Sequence, residues 1–267
     1  MLDKMIGFIG AGNMGSAMIG GILDASLVTT SQIITSAHSP ETLDKIRTKF
    51  SIETTQSNEV VAERSDILFL AVKPNKFAEV LPQIKDHLKP DCIVVSIAAG
   101  QPISNIEAIL GKIKLIRAMP NTPALVGAAM SALCPNDKVT AEEVKLIESL
   151  FNSFGRAEVV PESMMDAVVG VSGSSPAYVY MFIEAMADAA VADGMPRAQA
   201  YKFAAQSVLG AAKMVLETGK HPGELKDAVC SPGGTTIAGV AALEEWGFRN
   251  SIIKATDACY NKAENIK

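Results

Sequence analysis

Two regions of this sequence carry residues that could do chemistry, and both are built from glycine and hydroxyl groups rather than strong acids or bases. The first is Gly10-Ala11-Gly12-Asn13-Met14-Gly15, a G-x-G-x-x-G that follows the apolar run Met5-Ile6-Gly7-Phe8-Ile9 and leads into an Ala, Met and Ile-rich stretch. Strand, glycine turn and helix in that order form a dinucleotide fingerprint. Gly10 can make the tight turn, Gly12 lets the backbone approach a pyrophosphate, and Gly15 lets the helix lie close on the strand. The anion would rest on unpaired N–H groups at the positive helix end. The competing reading is a glycine-rich turn that binds nothing. The uncharged run from Met5 to Leu23 also has the length of a secretion signal, but its six glycines make a poor apolar helix, and no small-residue cleavage site preceded by a basic start is evident.

The second region comprises two loops, Gly170-Val171-Ser172-Gly173-Ser174-Ser175-Pro176 and Ser231-Pro232-Gly233-Gly234-Thr235-Thr236, each leading into a helical pattern. Backbone N–H groups and a Ser or Thr hydroxyl at a helix N-terminus suit a carboxylate. The plain alternative is capping, by Ser174 or Ser175 in the first loop and Thr235 in the second. Paired glycines cost conformational entropy that a mere cap does not require, so the second loop points further. His38, His87 and His221 lie far apart with no carboxylate at metal-ligand spacing, so no metal is expected. No Ser/His/Asp or Cys/His arrangement is visible. The chemistry that fits is hydride transfer by a bound cofactor, with the protein supplying orientation and a polar contact or two.

The elements that must position these groups can be read in order. Strand patterns at residues 5–9, 32–36, 52–55, 66–72, 92–97, 114–119, 128–134 and 157–160 alternate with helical patterns, which predicts a Rossmann-like, doubly wound parallel sheet over residues 1–161. From Pro161-Glu162 strand signals cease. Helices are expected over 163–171, 176–193, 197–218, 222–230, 235–246 and 248–264, forming an all-α domain of residues 162–267. The helix from Pro176 is apolar nearly all round, with Glu184 and Asp188 the main exceptions, so it must be buried on most sides. A domain of that size cannot do this alone, and a homodimer, or a higher assembly of dimers, is expected.

Ligands gather at the carboxyl ends of the strands of an open α/β sheet. Ala71, Val72, Lys73 and Pro74 end the fourth strand and Ala98 follows the fifth, so both should flank the nucleotide. Lys73 reads either as a phosphate contact or as a solvated lysine. The second strand ends at Thr35-Ser36-Ala37-His38-Ser39, where an NAD site usually places a carboxylate. Small hydroxyl groups there, with Lys45 and Arg47 nearby, leave room for a 2′-phosphate. NADPH is therefore favoured and NADH remains possible. His38 alone reads equally as a surface residue.

Composition narrows the partners. The net charge of −5, without basic runs, argues against nucleic acid or an anionic membrane surface. The uncharged run from Ala118 to Asn136 is interrupted by Pro120, Pro123 and Pro135, so no membrane span is expected. Cys92, Cys134, Cys230 and Cys259 show no C-x-x-C spacing and read as reduced thiols of a cytoplasmic protein.

These residues resemble the pyrroline-5-carboxylate reductase family along nearly the whole chain. The resemblance is carried by Gly7 to Gly15, Ala71-Val72-Lys73-Pro74 and Asn121-Thr122-Pro123. It is most specific in Ser172-Gly173-Ser174-Ser175-Pro176-Ala177-Tyr178, Gly210-Ala211-Ala212-Lys213-Met214, and the run from His221-Pro222-Gly223-Glu224 to Ser231-Pro232-Gly233-Gly234-Thr235-Thr236-Ile237. It implies NAD(P)H-dependent reduction of the cyclic imine 1-pyrroline-5-carboxylate to L-proline. Ile9, Gly10, Ala11, Gly12, Asn13, Met14, Ser39, Asn58 and Ala71 to Pro74 would surround the nucleotide, with Ser36 at the strand end. Ser231, Gly233, Gly234, Thr235 and Thr236, with Ser174, would hold the substrate, and the helical domains would interlock as a dimer whose active sites use both chains. Ser175 departs from the family's usual glycine. Thr236 is the candidate for contact with the ring nitrogen. Its hydroxyl is too weak an acid to act as a general acid near neutral pH, and an imine basic enough to arrive partly protonated needs only an orienting hydrogen bond.

Two other readings make different predictions. A β-hydroxyacid dehydrogenase would share the architecture, but the lysine base of that group's motif falls on Val179 and its asparagine on Ile183. A non-catalytic NADP(H)-sensing protein would bind nucleotide without turnover.

Overall fold

The computed structural model describes residues 2–265. An eight-stranded sheet of order β3-β2-β1-β4-β5-β6-β7-β8 organises the first part of the chain. Its strands are β1 (Ile6–Ile9), β2 (Ile33–Ser36), β3 (Glu53–Thr55), β4 (Ile67–Leu70), β5 (Ile93–Ser96), β6 (Lys114–Met119), β7 (Ala129–Pro135) and β8 (Gly155–Val159). Between them run α1 (Asn13–Asp24), α2 (Pro40–Phe50), α3 (Asn58–Arg64), α4 (Phe77–Ile84), α5 (Ile103–Leu110) and α6 (Ala141–Asn152). Every residue of β1, β2, β4 and β5 is buried. That is why these strands are short, mostly apolar runs rather than alternating ones.

The sheet departs from the expected all-parallel pattern at one place. β7 pairs antiparallel to β6, whereas the other neighbours, including β7 and β8, are parallel. Only residues 120–128, mostly a 3₁₀ turn at Thr122–Val126, connect β6 to β7. A parallel return needs a crossover of a dozen or more residues, and this link is too short. α6 supplies that crossover before β8. It opens with a reciprocal cap in which the Glu143 N–H donates to Thr140 Oγ1 at 3.3 Å and the Thr140 N–H to Glu143 Oε2 at 2.9 Å.

Strands cease at Pro161, but the compact units divide later. One unit runs to Gly173 and takes in residues 259–265; the other is Ser174–Ala258. The reason lies in residues 162–173, which pack on the sheet. Glu162 Oε1 accepts from the Ile103 N–H at 2.8 Å and from the buried Arg117 guanidinium at 3.1 Å. Met165, on the short helix α7 (Met165–Val168), is fully buried with Met119, Ala132 and Cys134. A π-helical turn, Val169–Gly173, ends the first unit.

The second unit holds α8 (Ser175–Ala192), α9 (Arg197–Thr218), α10 (Pro222–Val229) and α11 (Thr235–Glu245), with α12 (Phe248–Glu264) beginning in it. The buried residues among those described are alanines alone: Ala187, Ala200 and Ala204. Met181 is 69% exposed, Phe203 67% and Leu209 58%. Helices whose large apolar side chains face outward have no core of their own.

Candidate active site

The nucleotide turn is enforced by crowding. Gly10 has φ +102°, and a Cβ added there would stand 2.7 Å from the Ala71 carbonyl oxygen. The chain cannot move away, because the Gly10 N–H donates to the Ser36 carbonyl at 3.0 Å and the Ala71 N–H to the Ile9 carbonyl at 2.8 Å. A Cβ on Gly15 would lie 2.5 Å from the Gly10 carbonyl oxygen, so this glycine lets α1 sit against the turn. Gly12 is different: a Cβ there would meet nothing within 4 Å. The fold itself does not demand glycine at Gly12, and the missing side chain leaves open space instead. Gly12 is also the N-cap of α1 and supplies no capping side chain. The first-turn N–H groups are left for a ligand.

That space belongs to a cleft of about 710 Å³. Of the residues expected at a nucleotide, Gly10, Ala11, Gly12, Ser36, Ser39, Asn58, Val72 and Lys73 line it. Asn13 and Met14 open α1, and Pro74 starts a 3₁₀ turn, Pro74–Lys76, outside the lining set. Ile9 and Ala98 are buried in the core, and Ala71 contributes its backbone to the turn. The lysines of the cleft are Lys73 and Lys76. Lys45 and Arg47, expected nearby, are engaged elsewhere: Lys45 pairs with Glu41, and Arg47 with Asp44 and Thr54. Lys73 stands exposed without an ion-pair partner among the described residues, whereas Lys76 pairs with Glu79 at 2.8 Å. The Lys76 hydrogen bond and charge hold the Glu79 carboxyl below its usual range, with a smaller contribution from His38.

Thr42, Gln56, Lys76, Glu79, Val80 and Gln83 also line the cleft and were not anticipated. A signal for four of them was present. Lys76, at the N-cap of α4, is followed at i+3, i+4 and i+7 by Glu79, Val80 and Gln83, which share one face of that helix.

In the second unit, Ser231 to Thr236 forms a turn rather than a cap. The Gly234 N–H donates to the Ser231 carbonyl at 3.0 Å, with Pro232 and Gly233 (φ +68°) between them, the residue pattern of a type II turn. The N-cap of α11 is Gly234, and no side chain caps it. Thr235 and Thr236 are the first helical residues, both exposed. The capping alternative for Thr235 therefore fails, and the first-turn N–H groups of α11 stay available beside two threonine hydroxyls. Ser174 is likewise the N-cap of α8 without making a side-chain cap bond. The turn before it is held from within the first unit. Asn121 Nδ2 donates to the Ser172 carbonyl at 2.9 Å, and Asn121 Oδ1 accepts from the Met130 N–H at 2.9 Å. Among the described residues, no group of three His, Cys, Asp or Glu side chains is arranged to hold a metal ion, and no helix is long and apolar enough to cross a membrane.

Comparison with known proteins gives the family. Residues 162–266 match the family model described as pyrroline-5-carboxylate reductase dimerisation. Residues 5–100 match one described as NADP oxidoreductase, coenzyme F420-dependent. The chain is similar to the pyrroline-5-carboxylate reductase of Escherichia coli strain K12, with 54% identity over 99% of both chains. Similarity to that of Methanosarcina acetivorans is 47% over 96% of this chain and 97% of the other. Among solved structures, a pyrroline-5-carboxylate reductase from Coxiella burnetii superposes with TM-score 0.94 at 35% identity, covering 100% of this chain and 99% of that one. The Plasmodium falciparum pyrroline carboxylate reductase with NADP bound gives 0.90 at 33%, with the same coverage.

Proposed function

Because this chain belongs to the pyrroline-5-carboxylate reductase family, we infer that it is an oxidoreductase that reduces 1-pyrroline-5-carboxylate to L-proline with NADPH. Two readings fall away. A β-hydroxyacid dehydrogenase lacks its base here, since Val179 and Ile183 replace the lysine and asparagine, and a non-catalytic sensor does not fit a family of reductases.

The observation that carries the site is the uncapped start of α11. The substrate brings a carboxylate and a ring nitrogen. Free N–H groups at Thr235 and Thr236, together with the Ser231 hydroxyl, suit the carboxylate, and the helix dipole favours its charge. The Thr236 hydroxyl orients the ring nitrogen by a hydrogen bond. No side chain of the loop is a strong acid, so the substrate is reduced as the protonated imine it forms near neutral pH. In the cleft of the first unit, the open space at Gly12 and the free first turn of α1 suit a pyrophosphate, and Lys73 or Lys76 suits a phosphate ester. The reduced nicotinamide supplies the hydride. The rest of the chain's contribution is to bind and orient.

The second unit lies within the stretch that matches the family's dimerisation model, and its outward-facing Met181, Phe203 and Leu209 support a homodimer built through these helices. Cys92 and Cys134 are buried free thiols, compatible with the reducing cytoplasm.

The test is to mix the purified protein with NADPH and 1-pyrroline-5-carboxylate and follow the absorbance of the reduced cofactor. No loss above background would sink the assignment. Thr236→Ala should lower kcat/KM while leaving NADPH affinity nearly unchanged. Equal losses in both would show that the substrate site lies elsewhere.

A further inference from the structure

We propose that Gln83 is a positioning residue for nucleotide selectivity: by accepting a hydrogen bond from Asn58, it fixes which edge of the Asn58 amide faces the ribose of the bound adenosine. The proposal rests on the reading of the 710 Å³ cleft as the nucleotide site. Ser36 Oγ donates to Asn58 Oδ1 at 2.7 Å, and Asn58 Nδ2 donates to Gln83 Oε1 at 2.7 Å. The three side chains stand at the end of β2, the start of α3 and on α4, and all line the cleft. Ser36 is 1% exposed, so the inner end of this relay is fixed in the protein interior.

The direction of the relay decides what the cleft offers. A serine hydroxyl has one proton, and Ser36 commits it to Asn58. Asn58 uses one N–H on Gln83 and keeps its second. Gln83 receives on its oxygen and keeps both N–H groups of its amide, neither of which meets another group among the described residues. The wall formed by Asn58 and Gln83 is therefore a set of donors. A 2′-phosphate is purely an acceptor and matches such a wall, whereas a ribose hydroxyl can donate or accept and gains less from it. Asn58 cannot turn over alone, since its Oδ1 would then face Gln83 Oε1. Both amides would have to turn together, and the buried Ser36 hydroxyl would then lose the acceptor for its proton.

Without an acceptor at Gln83, nothing holds the Asn58 donors in place. Gln83→Leu should weaken NADPH binding about threefold to tenfold, the worth of one hydrogen bond, and change NADH binding by less than about twofold. Gln83→Glu keeps an acceptor for Asn58 but adds a negative charge beside the phosphate. It should weaken NADPH binding by more than Gln83→Leu does, again sparing NADH. Calorimetric titration of each variant with NADPH and with NADH, alongside its Tm, reads these effects without the imine. Equal losses for both nucleotides, or an unchanged NADPH affinity with either substitution, would overturn the proposal. If the wild-type protein bound neither nucleotide, the reading of the cleft would fall, and the proposal with it.

Discussion

The hydroxyl of Ser231 occupies the place where a side chain on Gly234 would stand: a Cβ built there collides with Ser231 Oγ. The turn that closes between these two residues thereby holds the serine hydroxyl over the start of α11. Gly234→Ala must push Ser231 aside, and neither residue lines the 710 Å³ cleft. We expect KM for the imine to rise about tenfold or more, the worth of one charge-assisted hydrogen bond, with unchanged nucleotide affinity. Steady-state kinetics with both substrates varied checks this, and Ser231→Ala should give a similar profile.

Gly10 and Gly12 should respond in opposite ways to substitution. Gly10→Ala places a Cβ at φ +102° against the Ala71 carbonyl, which should cost about 1–3 kcal/mol of stability. The Cβ of Gly12→Ala meets nothing in the fold, so the variant's Tm should stay within a few degrees of wild type, about the size of a surface substitution. NADPH affinity, however, should fall by about tenfold or more, because the side chain fills the space left for the pyrophosphate. Thermal unfolding and nucleotide titration of the pair separate the two roles.

The dimer has its own test. Met181→Glu or Leu209→Glu puts a charge on an apolar face that has no core beneath it. Analytical ultracentrifugation should then show a smaller species or an unfolded helical part. Wild-type sedimentation of both variants would refute assembly through these faces.

Acid stability should depend on Asp66. Burial works against its ionisation, but the Met5 N–H at 2.8 Å and the Lys89 ammonium at 2.9 Å outweigh it, and the carboxyl sits below its ordinary value of 3.8. A depressed folded value means the contribution is present above pH 3.8 and is lost as pH falls through that lower value. Asp66→Asn should therefore lower stability at neutral pH, by about 1–3 kcal/mol, and flatten the acid limb. Urea denaturation between neutral pH and the acid limb measures both.

Much of this was legible in the chain because it depends on local spacing. The Gly10, Gly12 and Gly15 pattern, the apolar strands and the change at Pro161 are each written within a few residues, since φ freedom, strand burial and helical periodicity are short-range matters. Two of the expected cations were misplaced for the same reason. Lys45 and Arg47 are close to Ser36 in sequence, but helix α2 turns them onto Glu41, Asp44 and Thr54. Lys73, expected at the end of β4, does line the cleft, and the second lysine is Lys76, from the turn before α4.

What the sequence by itself determined is the type and order of the elements, including the glycine turn and the loop before α11. The tertiary structure decided which of them meet. It set β7 antiparallel because residues 120–128 are too few to cross over. It left α11 without a side-chain cap where Thr235 had been a candidate. It also brought Gln83 to Asn58, which sequence spacing cannot anticipate, because that contact depends on how α3 and α4 pack on one face of the sheet.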